Sequence, residues 1–258
     1  MKRIEKYKQY FTKEYLMGPN SIRIADGLLE KYPLHMNQGN TLLELGCGTG
    51  LSSLFISKET NAVVHATDLW ISETENAERF ANWRMKGRIV PFCIDASSTD
   101  FEKERYDAVM SIDAYHYFAG KEGFFVNIIL PAIKKGGLAL IAVPGIKEEY
   151  EGEQEKTIQE WIGEEVYMFH SCSWWKNIIG THPDIEFVNT WEMECFEQAW
   201  QDWIESGHEN AKEDEKFYDS IIKKYSCIVG IVVKKKCDFV ELSFLTYYIP
   251  KQRECIGL

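Results

Sequence analysis

From residue 41 onward, short apolar runs alternate with segments of helical periodicity, and this alternation constrains the fold most strongly. The apolar runs cover 41–45, 62–67, 89–94, 106–112 and 138–143, and the helical segments cover 51–59, 73–86 and 121–134. Almost wholly apolar runs are typical of strands buried on both faces of a parallel sheet. Because parallel strands are joined by right-handed crossovers, the pattern predicts an α/β fold with helices on both faces of the sheet.

The flanking sequence predicts helices before this alternation and two more strands after it. Residues 1–17 are expected to form an amphipathic helix, and a second helix is expected to begin at Asn20 or Ser21 and to end by Pro33. The interval 144–184 is too long for a structureless loop, so we expect helices there that cover a substrate. Further strands are expected at 185–191 and 227–234.

Length, charge and cysteine content exclude several classes of protein. The chain has 258 residues, 45% of them hydrophobic, which favours one large folded domain and excludes wholesale disorder. Its net charge of −11 disfavours nucleic acids and anionic membranes as partners. The seven cysteines include no Cys-x-x-Cys pair, so we expect reduced thiols and no metal site. Without a signal peptide or a run of 18 apolar residues, the protein is expected to be cytoplasmic.

The segment from Thr41 to Gly50 indicates a ligand-binding turn between a strand and a helix. Glycines at 46, 48 and 50 let the backbone approach a ligand closely, and the helix that follows presents free N–H groups. A dinucleotide fingerprint requires its third glycine at position 51, where Leu51 stands. Glu44, at the end of the apolar strand, would repel a pyrophosphate and attract a cation.

This motif resembles the first motif of the class I S-adenosylmethionine-dependent methyltransferases. The resemblance implies a Rossmann-like, mostly parallel sheet of seven strands in the order 3-2-1-4-5-7-6, with an N-terminal helical cover and an insertion after strand 5. It also implies a role for Asp68, at the end of the second strand, in binding both ribose hydroxyls, and for Asp95-Ala96 in binding adenine. The complete set of implied cofactor-binding residues is Tyr15, Glu44, Gly46, Cys47, Gly48, Thr49, Gly50, Asp68, Leu69, Trp70, Asp95, Ala96 and Ser111.

The acids Asp68 and Asp95, and Trp70, also have a purely structural interpretation. Asp68 or Asp95 alone would more often cap a helix or a turn, but their positions at successive strand ends favour ligand binding. Trp70 is equally well explained by stacking on adenine and by a place in the core or at the rim.

The segment after the fourth strand supplies the predicted catalytic residues, Asp113, Tyr115 and His116. It resembles the small-molecule branch of the family, which includes phosphoethanolamine and sarcosine N-methyltransferases and enzymes like cyclopropane-fatty-acid synthase. His116 is the candidate base because an unperturbed histidine has a pKa of roughly 6.5, although a structural histidine is the alternative. An aromatic wall that suits an amine is expected from Tyr15, Tyr115, Tyr117, Trp174, Trp175 and Trp191, whereas Trp200 and Trp203 are assigned to the core.

Together these observations predict an enzyme that uses S-adenosyl-L-methionine, forms S-adenosyl-L-homocysteine and methylates a small molecule, with an amine as the favoured acceptor. We expect a monomer or homodimer without nucleic-acid or membrane partners. A non-catalytic cofactor-binding protein and an NAD-dependent oxidoreductase remain alternatives. The predicted organisation is one domain divided into a cover (1–35), a cofactor-binding half (40–145), a lid (146–184), a strand pair (185–236) and a tail (237–258).

Overall fold

The computed structural model describes residues 2–237, and a seven-stranded sheet lies at its centre. The strands are β1 (Thr41–Leu45), β2 (Val63–Asp68), β3 (Ile89–Cys93), β4 (Tyr106–Ile112), β5 (Ile133–Ile146), β6 (Ile185–Glu192) and β7 (Ser226–Lys235). Their order is β3-β2-β1-β4-β5-β7-β6. Neighbours among the first five are parallel, while β7 is antiparallel to both β5 and β6. The predicted α/β class and strand order are confirmed.

Helices cover both faces of this sheet. They are α1 (Lys2–Glu5), α2 (Ser21–Lys31), α3 (Leu51–Thr60), α4 (Glu73–Asn82), α5 (Leu130–Ala132), α6 (Glu153–Ile162), α7 (Cys172–Ile179), α8 (Phe196–Glu205), α9 (Glu209–Glu215) and α10 (Lys223–Tyr225). Successive residues of β1 show the layering, because Leu42 belongs to the core cluster that contains α2 and α3, whereas Leu43 belongs to the cluster that contains α7. This alternation follows from the two-residue period of a strand.

The N-terminal segment is tied down over the glycine turn. The Tyr7 ring packs edge-on against Phe55 of α3, and its hydroxyl donates a 2.6 Å hydrogen bond to Glu59. The Thr49 hydroxyl donates a hydrogen bond of 2.7 Å to the carbonyl oxygen of Tyr15. These contacts place the segment around Met17 directly above the turn that follows β1.

Several predicted boundaries need correction. Residues 1–17 contain α1 and a 3₁₀ turn at Lys8–Tyr10 rather than one continuous helix. The helix expected over 73–86 ends at Asn82, because Arg84 adopts a left-handed φ of 59°. The segment predicted as a helix over 121–134 contains a π-helical stretch at Phe125–Ile129 followed by α5.

Two regions flank the core: the insertion after β5 and the C-terminal tail. The insertion after β5 contains α6, a 3₁₀ segment at Gly163–Met168 and α7, as expected for a helical insertion. Of the predicted tail (237–258), only residue 237 lies within the described part of the chain. Among residues 2–237, no helix has the length and apolar character needed to cross a bilayer.

Candidate functional site

A cavity of about 500 Å³ opens at the carboxyl ends of β1, β2, β3 and β4. The glycine turn after β1 lines one side, and Asp68, Asp95 and Asp113 line the ends of the three other strands. Open α/β sheets bind ligands at this edge, because the loops that follow adjacent strands converge there. The first cavity therefore lies where the sequence predicts the cofactor.

The turn after β1 closes tightly because three of its residues are glycines with positive φ. Gly46, Gly48 and Gly50 have φ angles of 70°, 54° and 80°. A Cβ on Gly46 would lie 2.2 Å from the Cβ of Ala114, and one on Gly50 would lie 2.2 Å from the Phe80 ring. The turn thus packs against the end of β4 and against α4, which leaves no room for a side chain at either position.

Asp68 fixes this turn and also lines the first cavity. Its Oδ2 accepts a hydrogen bond of 2.7 Å from the backbone N–H of Gly48. Its Oδ1 accepts hydrogen bonds of 2.8 and 2.9 Å from the N–H groups of Trp70 and Ile71. Since a carboxylate offers about four acceptor sites, these three bonds leave capacity for about one more. The carboxylate therefore orders the protein's own backbone as well as facing the ligand.

Glu44 and Ser111 lie beneath the first cavity rather than on its wall. Glu44 is completely buried and accepts a hydrogen bond from the Ser53 hydroxyl through Oε2. Burial raises its pKa to about 7, although hydrogen bonds from Ser52 and Ser53 oppose the shift. Ser111, also completely buried, donates its hydroxyl to the Leu45 carbonyl oxygen at 2.8 Å. Both residues support the strand ends from below.

Asp95, just after β3, also lines the first cavity. Its Oδ1 accepts hydrogen bonds from the Ser97 hydroxyl at 2.6 Å and from the Ser97 N–H at 2.8 Å. These bonds hold the pKa of the Asp95 carboxyl below its usual value. The group is therefore ionised at neutral pH and can accept a hydrogen bond from a ligand. The predicted residues Tyr15, Cys47, Thr49, Leu69 and Ala96 also line the first cavity.

Large apolar side chains stand exposed around the first cavity. Of the six such residues in the described chain, Met17, Leu69, Trp70 and Tyr117 line it. Trp70 is 66% exposed and meets the Tyr117 ring edge-on at 5.1 Å. Contiguous exposed apolar surface commonly marks a binding site, so this rim is suited to cover a partly apolar ligand.

A second cavity, of about 510 Å³, adjoins the first. The residues that line both are Met17, Gly18, Pro19, Asp113 and Tyr117. Asp113 is the only carboxylate among these shared residues. A Cβ on Gly18 would lie 2.7 Å from the Asp113 Oδ2, so the carboxylate packs against the Gly18 backbone. Two ligands could therefore meet beside Asp113, one from each cavity.

The titration behaviour of Asp113 and His116 differs from what the sequence suggests. Burial raises the pKa of Asp113 to about 7, with a smaller contribution from the negative charge of Asp214. His116 is 6% exposed, and burial lowers its pKa to about 3. The expectation of a histidine that titrates near neutrality is wrong, because burial removes the water that would stabilise the charged ring.

Several residues predicted from the sequence lie away from both cavities. Tyr115 is 1% exposed and packs among Phe118, Phe124 and Trp175, so it lines neither. The expected aromatic wall residues Trp174, Trp175 and Trp191 also line neither cavity.

Other residues take the place of this expected wall. The second cavity is walled by Trp161, Phe169, Trp200, Trp203 and Asp214. Sequence reasoning assigned Trp200 and Trp203 to the core and missed Asp214 entirely. The one available signal was the aromatic content of the insertion, which includes Trp161 and Phe169.

Comparison with known proteins identifies a matching family model and curated relatives. Residues 42–137 match the family model described as a methyltransferase domain. Phosphoethanolamine N-methyltransferase 2 of Caenorhabditis elegans is 26% identical over 205 residues, which are 76% of this chain and 45% of the relative. The tRNA (carboxymethyluridine(34)-5-O)-methyltransferase alkbh8 of Xenopus tropicalis is 26% identical over 125 residues, covering 48% of this chain and 18% of that protein. The chain thus spans less than half the length of either curated relative.

A solved structure extends the likeness beyond the region of the family model. Haemonchus contortus phosphoethanolamine N-methyltransferase 2, solved with S-adenosylhomocysteine, superposes with a TM-score of 0.64 at 18% sequence identity. The match covers 86% of this chain and 54% of that one. At this identity the likeness establishes the fold. Residues 42–137 thus match a methyltransferase domain, and the sheet of the described residues has the strand order of the methyltransferase fold.

Proposed function

We propose that this chain transfers a methyl group from S-adenosylmethionine to a small-molecule amine. The observation that carries the proposal is the meeting of two cavities, of about 500 and 510 Å³, beside the Asp113 carboxylate. Each volume lies in the range of small-molecule sites. S-adenosylmethionine, when bound, supplies an electrophilic methyl group on a positively charged sulfur.

The residues of the first cavity fit this cofactor. Asp68 and Asp95 place two carboxylates on a wall that also contains the exposed rings of Trp70 and Tyr117. Carboxylates accept hydrogen bonds from hydroxyl and amino groups, and they stabilise a nearby positive charge. The N–H groups at the start of α3 are available to polar ligand atoms. We assign the cofactor to this cavity and to the predicted residues that line it.

Asp113 is the group best suited to prepare an amine for methylation. An amine is largely protonated at neutral pH and must release a proton before its nitrogen can attack. With its pKa near 7, Asp113 accepts a proton more readily at neutral pH than His116, whose pKa is about 3. We therefore assign the base to Asp113 and a hydrogen-bonding role to the neutral ring of His116. The relative named as a phosphoethanolamine N-methyltransferase supports an amine acceptor.

Two measurements test the function. Calorimetric titration with S-adenosylhomocysteine should show binding at a 1:1 ratio, and binding that is absent at millimolar ligand would refute the assignment. Transfer of a labelled methyl group should then be followed across panels of amines, alcohols and thiols. Methylation confined to amines is the expected result. Binding of the product analogue without turnover on any panel would instead support a non-catalytic role for the same fold.

A further inference from the structure

We propose that the second cavity accepts an amine that carries a positive charge and no phosphate group, and that Asp214 positions two indole rings around it. The inference rests on the proposed methyltransferase function and specifies its acceptor class. Four observations support it: the hydrogen bonds of Asp214, the aromatic wall, the charges on the lining and an unpartnered polar group.

Asp214 holds two tryptophans from different parts of the chain. Its Oδ1 accepts a hydrogen bond of 2.8 Å from the indole N–H of Trp161, on α6. Its Oδ2 accepts one of 2.8 Å from the indole N–H of Trp203, on α8. Both indole donors are therefore directed at the protein's own carboxylate, which leaves the aromatic carbon surface for a ligand in the cavity.

The ring orientations extend this arrangement into a continuous wall. Trp161 meets Trp200 edge-on at 5.7 Å and meets Phe169 edge-on at 5.7 Å. Phe169 in turn meets the His116 ring at 6.2 Å. An aromatic face attracts a cation, and the attraction increases when water is excluded from the site. The wall is thus suited to an alkylammonium group.

The charges on the lining distinguish between possible acceptors. Its ionisable acids are Asp113, Glu165, Glu213 and Asp214, and among the described residues it contains neither lysine nor arginine. Phosphate groups in proteins are commonly held by arginine or lysine. Carboxylates repel a phosphate and attract an ammonium group, so the lining favours an amine without phosphate. The charge of Asp214 also acts on Asp113, and a cation between the two would relieve this repulsion.

An unpartnered polar group independently indicates a ligand at the second cavity. His116 is 94% buried and lines the cavity, yet its Nδ1 has no hydrogen-bonding partner among residues 2–237. A buried polar atom without a partner is costly, so native proteins generally satisfy such atoms. A polar group of the acceptor could form this missing hydrogen bond.

The test uses binding probes that have no nitrogen able to accept a methyl group. Choline has a fixed positive charge, 3,3-dimethylbutan-1-ol is its neutral isostere, and phosphocholine adds a phosphate. Tryptophan fluorescence of the full chain, saturated with S-adenosylhomocysteine, should report choline binding at least tenfold tighter than that of either other probe. Equal affinity for choline and the alcohol would overturn the cation preference. Tighter binding of phosphocholine would overturn the exclusion of phosphate.

Substitutions then test the positioning role of Asp214. In Asp214→Asn, the preference for choline over the alcohol should fall at least fivefold, while the affinity for S-adenosylhomocysteine stays unchanged. Asp219→Asn is the matched control, because Asp219 is exposed and lines neither cavity. If Asp214→Asn does not fold, Trp161→Phe removes one indole donor and keeps an aromatic ring, and it should weaken the same preference. An unchanged preference in the folded variant overturns the proposal.

The probes separate this inference from the function on which it rests. A chain that binds S-adenosylhomocysteine but shows no choline preference would retain the methyltransferase proposal and lose the acceptor class. A chain that binds choline selectively but not S-adenosylhomocysteine would lose the proposed function, and with it the assignment of the cation as an acceptor.

Discussion

The two cavities are similar in volume but are assembled differently. The first is built largely from the ends of consecutive strands and the turns that follow them, such as 46–49, 67–70 and 94–97. The second combines the turn after β4 with residues from the insertion, from α8 and α9 and from β7. A site on adjacent strand ends therefore leaves a local pattern of residues in the sequence. A site assembled from distant segments leaves none.

Asp68→Ala is the substitution expected to affect the first cavity most. It removes a ligand acceptor and also frees the N–H groups of Gly48, Trp70 and Ile71. We expect the loss of these hydrogen bonds to reduce the binding free energy of S-adenosylhomocysteine by about 3 kcal/mol, which weakens its binding about 100-fold. Calorimetric titration measures this loss, and circular dichroism checks that the fold is retained.

Asp68→Asn provides the graded control, because its amide keeps one acceptor oxygen for the backbone. The loss in that variant should be about tenfold, with some of the turn's hydrogen bonds preserved. Unchanged affinity in both variants would move the cofactor site away from this carboxylate.

Gly50→Ala tests whether the glycine turn requires the absence of a side chain at position 50. Gly50 has a φ of 80°, and a Cβ there would meet the buried ring of Phe80. The left-handed conformation costs an alanine roughly 1–2 kcal/mol, and the collision adds about 1–3 kcal/mol. Gly87→Ala is the control, because Gly87 has a φ of 79° but open space around it. Urea unfolding should show a lower midpoint for Gly50→Ala, and equal midpoints would exclude the steric explanation.

The fold and the first cavity could be predicted because their signals are local. A strand, a glycine turn and a helix are contiguous between Thr41 and Thr60, while Asp68 ends β2 and Asp95 lies two residues after β3. How deeply each acid is buried could not be predicted from the sequence. Glu44 and Asp68 are both acids at strand ends, yet Glu44 lies under the turn and Asp68 faces the cavity.

The second cavity could not be predicted because contacts between distant residues create it. Trp161 and Trp203 are 42 positions apart, and their shared hydrogen bonds to Asp214 hold them together. Trp200 and Trp203 have the spacing of a buried helix face, which correctly indicated burial but could not reveal the adjoining cavity. The pKa of His116 was misjudged for a related reason, since its burial depends on the neighbouring insertion.

The pH dependence of methyl transfer distinguishes between the two candidate bases beside the second cavity, Asp113 and His116. Asp113 accepts a proton only when ionised, and burial raises its pKa to about 7. Below that pH, kcat/KM should therefore fall about tenfold per pH unit, because a growing fraction of the free enzyme is protonated at Asp113. A fixed concentration of the protonated amine must be maintained in the measurement, because the proposed acceptor binds as a cation and its own titration must not contribute.

Asp113→Asn should lose this dependence, since an amide does not titrate. His116→Gln should keep it, because His116 has a pKa of about 3 and stays neutral across the range. The opposite pattern, in which only the His116 variant loses the dependence, would return the role of base to the histidine.

Trp70→Ala tests the smallest effect, the contribution of the exposed rim to cofactor affinity. Trp70 is 66% exposed, so its truncation should leave the thermal midpoint unchanged. If its ring stacks on adenine, the loss of about 1 kcal/mol weakens S-adenosylhomocysteine binding about fivefold, and Trp70→Phe recovers most of it. Tyr167→Ala is the matched control, because Tyr167 is 71% exposed but lines neither cavity. Equal affinities in Trp70→Ala, Tyr167→Ala and the unmodified chain would show that the exposed ring of Trp70 does not contribute to cofactor binding.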